Sequence, residues 1–392
     1  MADAFIVSGV RTPIGALNGL LAEVPAVELG AIAIKQSLVR TGMDGADVDD
    51  VIMGNVVGAG QGQNPARQAS IKAGVPQSVG AFTVNKVCGS GLKSVMLAAQ
   101  SIQLGESQIV VAGGMENMSR APYLLPQARQ GYRLGNGVLV DSVVHDGLWD
   151  VYGDKHMGTY GDNCASQSEL SRQQQDDFAV RSYQRARQAQ VDGVFSSEVV
   201  PVTFTSRRNE VTVSEDEGPA KFNEEKLRSL RPAFGADGTV TAGNASSIND
   251  GAAAVVVAAD SACKARNLKP MARIAGMSSF SREPQWFTLA PIGAIQKLLD
   301  RIGWTVESTD LFEINEAFAA VTLAAEKALQ IPADKVNIYG GAVSLGHPIG
   351  CSGTRILVTL LNALQRTGGR RGIASLCIGG GEAVAMAVER LD

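Results

Sequence analysis

The sequence predicts an α/β fold built from two similar halves, with a more polar region inserted into the first half. Three observations lead to this prediction. Apolar runs of strand length alternate with helical patterns, and 392 residues exceed what one ordinary core needs. The 44 glycines and the low aromatic content of 5% are typical of packed α/β proteins with many tight turns. We therefore expect mostly buried parallel sheets made of successive βα units.

The individual elements follow from the apolar pattern along the chain. Helical spacing predicts helices over 27–40 and 91–104, the second of which stops at Gly105, a residue type common at helix C-termini. Continuous apolar runs predict buried strands over 5–7, 81–87, 108–112, 252–257 and 374–378.

Comparison of the chain with itself indicates a diverged duplication. Segments 29–52, 88–93 and 111–114 recur in the same order as 292–314, 350–355 and 377–380. The duplication predicts a first half of residues 1–118 plus 249–271 and a second half of residues 272–392. Residues 119–248 have no counterpart, and we predict that they form an inserted loop domain.

Composition excludes several classes of protein. The net charge is only −4, from 35 basic and 39 acidic residues that are interspersed, so we expect neither nucleic-acid nor membrane partners. No apolar run reaches the roughly 18 to 20 residues of a membrane span, and the N-terminus lacks the pattern of a secretion signal. The five scattered cysteines fit no disulfide framework. We expect a cytoplasmic protein.

No resident metal or nucleotide cofactor is expected. The glycine-rich segment 58–62 lacks the spacing of a dinucleotide fingerprint. Only three histidines are present, and they lack any short metal-binding spacing.

Cys88 is the first candidate for chemistry. It lies between the strand-like run 81–87 and the helix that begins near Gly91. Unpaired N–H groups and a partial positive charge at a helix N-terminus lower the pKa of a nearby thiol, so this position suits a nucleophile. The alternative is a buried structural cysteine.

His347 is the favoured base, because Gly346 and Pro348 fix its backbone. If the two halves pack as pseudosymmetric partners, the helix that follows His347 and the helix that follows Cys88 converge on one site. For His145 and His156, in the inserted region, a surface or packing role is the default expectation.

Two further residues follow predicted strands. Cys377 precedes the glycines at 379–381, whose N–H groups either form an oxyanion site or belong to a simple turn. Asn315 follows a short apolar run, where its side chain either holds a water molecule or caps a helix.

Four blocks taken together resemble the signature motifs of the thiolase family, in the same order and separation. They are Cys88-Gly89-Ser90-Gly91, Asn315-Glu316-Ala317-Phe318, Gly346-His347-Pro348 and Cys377-Ile378-Gly379. The resemblance extends from Arg11 to Glu389. It implies the thiolase fold, with two duplicated βαβαβαββ-type halves in a layered αβαβα arrangement. It also implies a homotetramer assembled as a dimer of dimers.

The resemblance implies a role for each candidate. Cys88 would be acylated by the first acyl-CoA while His347 takes its proton. Cys377 would exchange the α-proton of a second acetyl-CoA. The enolate oxygen would be stabilised by His347 and by a water molecule on Asn315, and the acyl-enzyme oxyanion by the N–H groups of Cys88 and Gly379.

The substrates implied are acyl-CoA and CoA, with coenzyme A as part of the substrate rather than a cofactor. The inserted domain would supply CoA-binding loops and oligomer contacts. His156 and Met157 would lie beside the acyl group and favour a short chain, and Lys221 or Arg207 and Arg208 would meet the CoA phosphates. The residues that would line the pantetheine tunnel are Leu148, Phe234, Ala242, Ser246, Ile248, Ala317 and Phe318.

Several activities remain open at this point. The leading hypothesis is condensation of two acetyl-CoA to acetoacetyl-CoA and CoA, or the reverse, and the runner-up is a 3-ketoacyl-CoA thiolase of β-oxidation with longer substrates. A decarboxylating ketoacyl synthase needs a second histidine beside its cysteine, and the sequence offers none in a suitable motif. A non-catalytic CoA-binding scaffold would not need Cys88, His347, Asn315 and Cys377 together.

Overall fold

A computed structural model describes residues 2–391 of the chain. Its strands are β1 (Ala4–Arg11), β2 (Gly15–Ala16), β3 (Asp50–Gly54), β4 (Gly80–Val84), β5 (Ile109–Asn117), β6 (Tyr123–Leu124), β7 (Val140–Asp141), β8 (Trp149–Asp150), β9 (Lys155–His156), β10 (Val202–Ser206), β11 (Asn209–Val213), β12 (Asn249–Ala259), β13 (Ala272–Ser281), β14 (Leu311–Ile314), β15 (Arg371–Ile378) and β16 (Glu382–Arg390). Its α-helices are α1 (Ala26–Val39), α2 (Pro65–Lys72), α3 (Ser90–Leu104), α4 (Met157–Gln167), α5 (Arg172–Val191), α6 (Glu217–Ala220), α7 (Glu224–Ser229), α8 (Asp260–Ala265), α9 (Ala290–Ile302), α10 (Ala319–Leu329), α11 (Ala342–Leu345) and α12 (Ser352–Thr367).

The main sheet has the strand order β14-β15-β16-β13-β1-β12-β5-β3-β4, with β2 paired to β12. The prediction of parallel sheets is wrong. Parallel pairing is confined to β3 with β4 and β5 and to β14 with β15, and the other neighbours are antiparallel. A strand covered on both faces is apolar throughout, whichever way its neighbours run. The apolar pattern therefore predicted burial correctly and direction incorrectly.

The strand order confirms the duplication. In the first half β3 is parallel to β5, which is followed by antiparallel β12 and β1, and in the second half β14, β15, β16 and β13 repeat this order and these directions. The halves join where β1 pairs with β13 in antiparallel fashion, at Phe5–Arg273 and Ile6–Ala272. The second half has no full counterpart of β4, since Val336 makes only an isolated bridge with Phe312.

Helices α3 and α12 form the central layer between the halves. They pack against each other, and α12 also contacts β14 and β15 of its own half and β12 and β1 of the other. Residues 352–364 of α12 are all buried, as expected for a helix enclosed on every side. Helices α1 and α2 cover the first half and α9 covers the second. This arrangement is the five-layer fold that the resemblance implies.

Glycines allow the halves to approach at the start of α12. A methyl group on Gly114 would lie 2.0 Å from the carbonyl oxygen of Gly350, and methyl groups on Gly54 and Gly91 would lie 2.7 and 2.9 Å from it. We call Gly54, Gly91, Gly114 and Gly350 the glycine junction. Backbone-to-backbone contact at this junction brings the N-termini of α3 and α12 together.

The inserted region contains more regular structure than the predicted loop domain suggests. It carries the 20-residue helix α5, which contacts α10 and α11 of the second half. It also carries three small two-stranded sheets, formed by β6 with β7, β8 with β9, and β10 with β11. Between residues 2 and 391, no helix has both the length and the apolarity needed to cross a membrane.

Candidate active site

Cys88 lies in a short, constrained loop between β4 and α3. The predicted strand 81–87 is too long, because β4 ends at Val84. Val87 has a φ of 45°, a left-handed conformation that is rare for a β-branched residue and that re-aims the chain just before the thiol. The Ser90 hydroxyl donates to the carbonyl of Val87 at 2.7 Å and accepts the N–H of Lys86 at 2.8 Å. Ser90 therefore holds the loop that presents Cys88.

The predicted lowering of the Cys88 pKa is wrong. Burial raises the pKa of this thiol to about 11, although the N–H groups of Gly379 and of Cys88 itself act in the opposite direction. Removing the sulfur from water destabilises the thiolate by more than two N–H groups and a helix N-terminus stabilise it. The thiol is therefore neutral at neutral pH and needs a base before it can act as a nucleophile.

His347 is buried, in the segment that leads into α12. Its backbone N–H donates to Oδ1 of Asn249 at 2.9 Å, its Nδ1 lies 2.5 Å from the Ser352 hydroxyl, and its Nε2 lies 3.5 Å from the Asn315 side-chain nitrogen. Burial, with a smaller contribution from the Arg355 charge, lowers its pKa to about 4. The imidazole is therefore neutral near pH 7 and has a free lone pair to accept a proton.

Cys377 lies near the end of β15 and is fully buried. Burial raises the pKa of its thiol well above the ordinary value, and interaction with Cys88 and Cys164 raises it further. This interaction indicates that Cys377 and Cys88 are neighbours. Two residues after Cys377, Gly379 faces the side chain of Met157. The Met157 sulfur would lie 3.3 Å from a methyl group placed on Gly379.

Asn315 is also fully buried, and its amide oxygen has no hydrogen-bond partner among residues 2–391. The alternative of a helix cap does not hold, because α10 begins at Ala319 with Phe318 in the capping position and no side-chain cap. An unpaired buried carbonyl oxygen is an acceptor suited to a water molecule.

These groups surround a largely apolar cavity of about 330 Å³. Cys88, His347 and Gly379 all line it, whereas the side chains of Asn315 and Cys377 lie behind its wall. Every residue predicted for the pantetheine tunnel or the acyl group lines it too, namely Leu148, His156, Met157, Phe234, Ala242, Ser246, Ile248, Ala317 and Phe318.

Aromatic contacts shape the cavity wall around His156. The ring of His156 stacks on Phe234 with centroids 4.8 Å apart, and Phe234 meets Phe318 edge-on at 6.4 Å. Nδ1 of His156 accepts the N–H of Gly158 at 3.1 Å. Burial lowers the pKa of His156, so the ring is neutral and serves as part of the wall.

Lys221 does not line this cavity. It pairs with Glu217 at 2.7 Å and borders a second cavity of about 150 Å³, which also includes Lys226 and shares Ala242 with the first. Arg207 and Arg208 lie at the turn between β10 and β11 and line neither cavity.

Several lining residues were not predicted from the sequence, and they are Val87, Met118, Gly147, Ala233, Ala245, Ser247, Phe287 and Ile349. Val87 and Ile349 adjoin the Cys88 and His347 motifs, so adjacency was the available signal for these two. The partners of His347, Asn249 and Ser352, were missed as well. Ser352 belongs to the duplicated segment 350–355, which marked the position without indicating its contact.

Comparison with known proteins agrees with this geometry. A family model described as "Thiolase, N-terminal domain" matches residues 4–261, and one described as "Thiolase, C-terminal domain" matches residues 268–390. The chain is 50% identical over 392 residues to an "Acetyl-CoA acetyltransferase" of Pseudomonas aeruginosa and to a "Probable acetyl-CoA acyltransferase" of Staphylococcus aureus strain COL. It is 50% identical over 391 residues to a "Probable acetyl-CoA acetyltransferase" of Escherichia coli K12. Each alignment covers 100% of both chains.

Among solved structures, the crystal structure of the Bacillus anthracis acetyl-CoA acetyltransferase superposes with a TM-score of 0.98 at 44% sequence identity. The match covers 100% of this chain and 99% of that one. The similarity therefore includes both halves and the inserted region.

Proposed function

The chain belongs to the thiolase family of acyltransferases, and we propose that it condenses two acetyl-CoA molecules to acetoacetyl-CoA and CoA through an acetyl-Cys88 intermediate. The same groups catalyse the reverse thiolysis, so metabolite concentrations set the direction. One observation carries this proposal. A neutral thiol, a neutral imidazole and converging N–H groups meet in an apolar cavity of about 330 Å³.

In the first half-reaction, Nε2 of His347 accepts the Cys88 proton as the sulfur attacks the thioester carbonyl. The oxyanion that forms accepts hydrogen bonds from the N–H groups of Cys88 and Gly379, both of which act to lower the pKa of the Cys88 sulfur. Donors of this kind contribute roughly 3 to 4 kcal/mol of transition-state stabilisation. The C–S bond of the substrate then breaks, and the CoA thiolate takes the proton of the Cys377 thiol. His347 keeps the Cys88 proton on Nε2, and Cys377 is left as a thiolate.

In the second half-reaction, the Cys377 thiolate left by that proton transfer removes the α-proton of another acetyl-CoA. The enolate oxygen accepts hydrogen bonds from Nε2–H of His347 and from a water molecule on the Asn315 amide oxygen. The enolate carbon attacks the acetyl carbonyl on Cys88, the C–S bond to Cys88 breaks, and acetoacetyl-CoA is released. His347 then returns its Nε2 proton to the Cys88 thiolate, which leaves both cysteines as thiols and the imidazole neutral, so atoms and charges balance over the cycle.

The two cavities support a division of the CoA molecule. The apolar cavity suits the pantetheine arm, which makes few hydrogen bonds. Lys221 and Lys226 at the second cavity provide positive charge for the phosphate end, and Ala242 lines both cavities. Met157 and the His156–Phe234 stack close the acyl end, which supports a preference for acetyl and acetoacetyl groups.

Intact-protein mass spectrometry after brief exposure to acetyl-CoA tests the intermediate. We expect one acetyl adduct on wild type and on Cys263→Ala, which removes a buried thiol of α8 outside the cavity, and no adduct on Cys88→Ala. An adduct that persists in Cys88→Ala would refute the assignment of the nucleophile. No adduct on any variant would favour the non-catalytic scaffold.

Turnover of 3-ketoacyl-CoA substrates of increasing length separates the two thiolase activities. The proposal expects kcat/KM to fall steeply beyond acetoacetyl-CoA. Equal or rising values for longer chains would instead assign the chain to the β-oxidation type.

A homotetramer assembled as a dimer of dimers is part of the same proposal. Several large apolar side chains of the inserted region are exposed in the single chain, including Tyr123, Leu134, Val138 and Leu139. Burial between copies would remove this apolar surface from water. Light scattering coupled to size-exclusion chromatography measures the assembly directly, and a monomer in solution would contradict it.

A further inference from the structure

Asn249 makes a contact between the two halves that the mechanism above does not use. It is the first residue of β12 in the first half, and its side chain is buried. The amide oxygen accepts the backbone N–H of His347 at 2.9 Å and the Ser247 hydroxyl at 2.8 Å, while the amide nitrogen donates to the Gly15 carbonyl at 2.9 Å. The side chain of Asn249 therefore joins β12 to the segment that carries His347.

The segment before α12 is shaped to receive this contact. Gly346 has a φ of 110°, in the left-handed region that favours glycine. A methyl group on Gly346 would lie 2.3 Å from Cγ of Asn249. Because Gly346 has no side chain, the amide group of Asn249 can reach the N–H of His347 directly.

A second side chain of the first half holds the other end of the same segment. Oε2 of Glu116, on β5, accepts the backbone N–H of Gly350 at 2.9 Å. Strands β5 and β12 are neighbours in the main sheet, and β5 is joined through β3 to β4, the strand that leads to Cys88. The His347 segment is therefore tied at both ends to the part of the sheet that leads into the Cys88 loop.

The duplication repeats this arrangement in the opposite direction. In the order of the sheet β16 corresponds to β12, and the first residue of β16 is Glu382. Glu382 forms an ion pair with Lys86, which lies two residues before Cys88 in the loop of the first half. Each half therefore extends the first residue of one strand to the loop that precedes the central helix of the other half. A contact present in both copies points to a need that both loops share, which is their alignment.

We infer that Asn249 is a positioning residue that sets the place of the His347 ring relative to the Cys88 sulfur. This inference rests on the proposed function, in which His347 takes the Cys88 proton and later returns it. Asn249 bonds the backbone of His347 and not its ring, so it acts on geometry in both half-reactions and is independent of the protonation of the imidazole. A misplacement of about 1 Å in a reacting group can lower a rate by about 100-fold.

The test compares variants that differ in the acceptor they offer to the N–H of His347. Asn249→Ala and Asn249→Leu both remove the acceptor, the second with the volume of the side chain kept, and Asn249→Asp retains an oxygen in its place. Asn117→Ala is the matched control. Asn117 is another buried asparagine, at the end of the neighbouring strand β5, and it donates to the carbonyls of Leu21 and Val24 at 3.1 and 2.6 Å.

Acylation is followed by quenched mass spectrometry, and condensation by steady-state turnover. We expect Asn249→Ala and Asn249→Leu to lower both rates by about 10- to 100-fold relative to Asn117→Ala, with little change in KM. The aspartate variant should recover most of both rates, because it still offers an acceptor to the N–H of His347.

A double-variant comparison shows whether Asn249 acts through His347. In the His347→Gln background, Asn249→Ala should cause no further loss of the acylation rate, because the group that Asn249 positions is already absent. A further loss as large as the loss in wild type would overturn the inference and assign the effect to general distortion.

Amide hydrogen exchange at His347 tests the contact without any use of activity. Exchange is measured residue by residue in folded protein, by mass spectrometry with electron-transfer fragmentation. We expect the His347 N–H to exchange about tenfold faster in Asn249→Ala than in wild type or Asn117→Ala, since it loses its acceptor.

The two readouts separate failure of this inference from failure of the proposed function. If wild type forms acetyl-Cys88 but exchange at His347 is unchanged, or the rates lie within about twofold of the Asn117→Ala control, the role of Asn249 is overturned and the proposed function stands. If wild type forms no acetyl-Cys88, the proposed function fails and the positioning role of Asn249 fails with it.

Discussion

Cys88 is expected to titrate as a neutral thiol up to alkaline pH. Its pKa of about 11 lies above the ordinary value of 9.0 because the folded protein removes the sulfur from water. The difference disfavours ionisation by about 3 kcal/mol and leaves about one thiol in ten thousand ionised at pH 7. Raising the pH toward 11 should therefore progressively expose the thiolate.

The rate of alkylation by iodoacetamide measures this population, because only the thiolate reacts. From about pH 6 to pH 10 the rate constant at Cys88 should rise roughly tenfold per pH unit, with no plateau. The ultraviolet absorbance of thiolates, taken as the difference between wild type and Cys88→Ala, should stay near zero at neutral pH.

A plateau in the alkylation rate between about pH 6 and pH 8, together with a thiolate signal there, would refute this reasoning. It would show a preformed ion pair between Cys88 and a protonated His347. The variant His347→Gln provides the control. If the imidazole is neutral, its removal should leave the pH dependence of alkylation in place while abolishing acetyl transfer.

Three other predictions follow from the same geometry. Met157→Ala should widen the acyl end and raise kcat/KM for longer 3-ketoacyl-CoA relative to acetoacetyl-CoA by about tenfold, as measured by initial rates. Gly114→Ala should cost about 3 kcal/mol or more in denaturant unfolding, since its methyl group would lie 2.0 Å from the Gly350 carbonyl, whereas Gly235→Ala, which meets no atom within 4 Å, should be near neutral. Because the folded state depresses the pKa of His347 from 6.5 to about 4, its contribution to stability is complete above pH 6.5 and is lost as the pH falls toward 4. Unfolding titrations should therefore show wild type losing about 3 kcal/mol relative to His347→Gln over that range.

The fold was predictable where the information is local. Spacing along 27–40 and 91–104 gave α1 and α3 within one residue at each end, and Gly105 ends α3 in a left-handed conformation. Strand direction was not predictable, because β12 is buried along its whole length whether its neighbours run parallel or antiparallel. The direction depends on how the strands are connected, for example through the inserted region between β5 and β12, and the apolar pattern of a single strand does not encode this.

The features of the site also divide into those that the sequence predicted and those that depend on the fold. The duplication placed Cys88 and His347 ahead of related helices and so predicted that they meet. The pKa of Cys88 was missed because it depends on desolvation by the fold around it, including the distant Gly379. The contact of Ser352 with His347 was missed because a serine at a helix start is common, and only the 2.5 Å distance to His347 distinguishes it.

The glycine junction has a consequence for how substrate reaches the cavity. Because backbone meets backbone between Gly114 and Gly350, the halves have no side chains there that could repack to allow a hinge motion. The two halves are therefore held in a fixed relation at this junction, and Cys88 and His347 with them. On the proposed function, acyl-CoA reaches Cys88 past the wall that the inserted region contributes to the cavity. Variation in that wall can change which acyl groups pass without disturbing the alignment of Cys88 with His347.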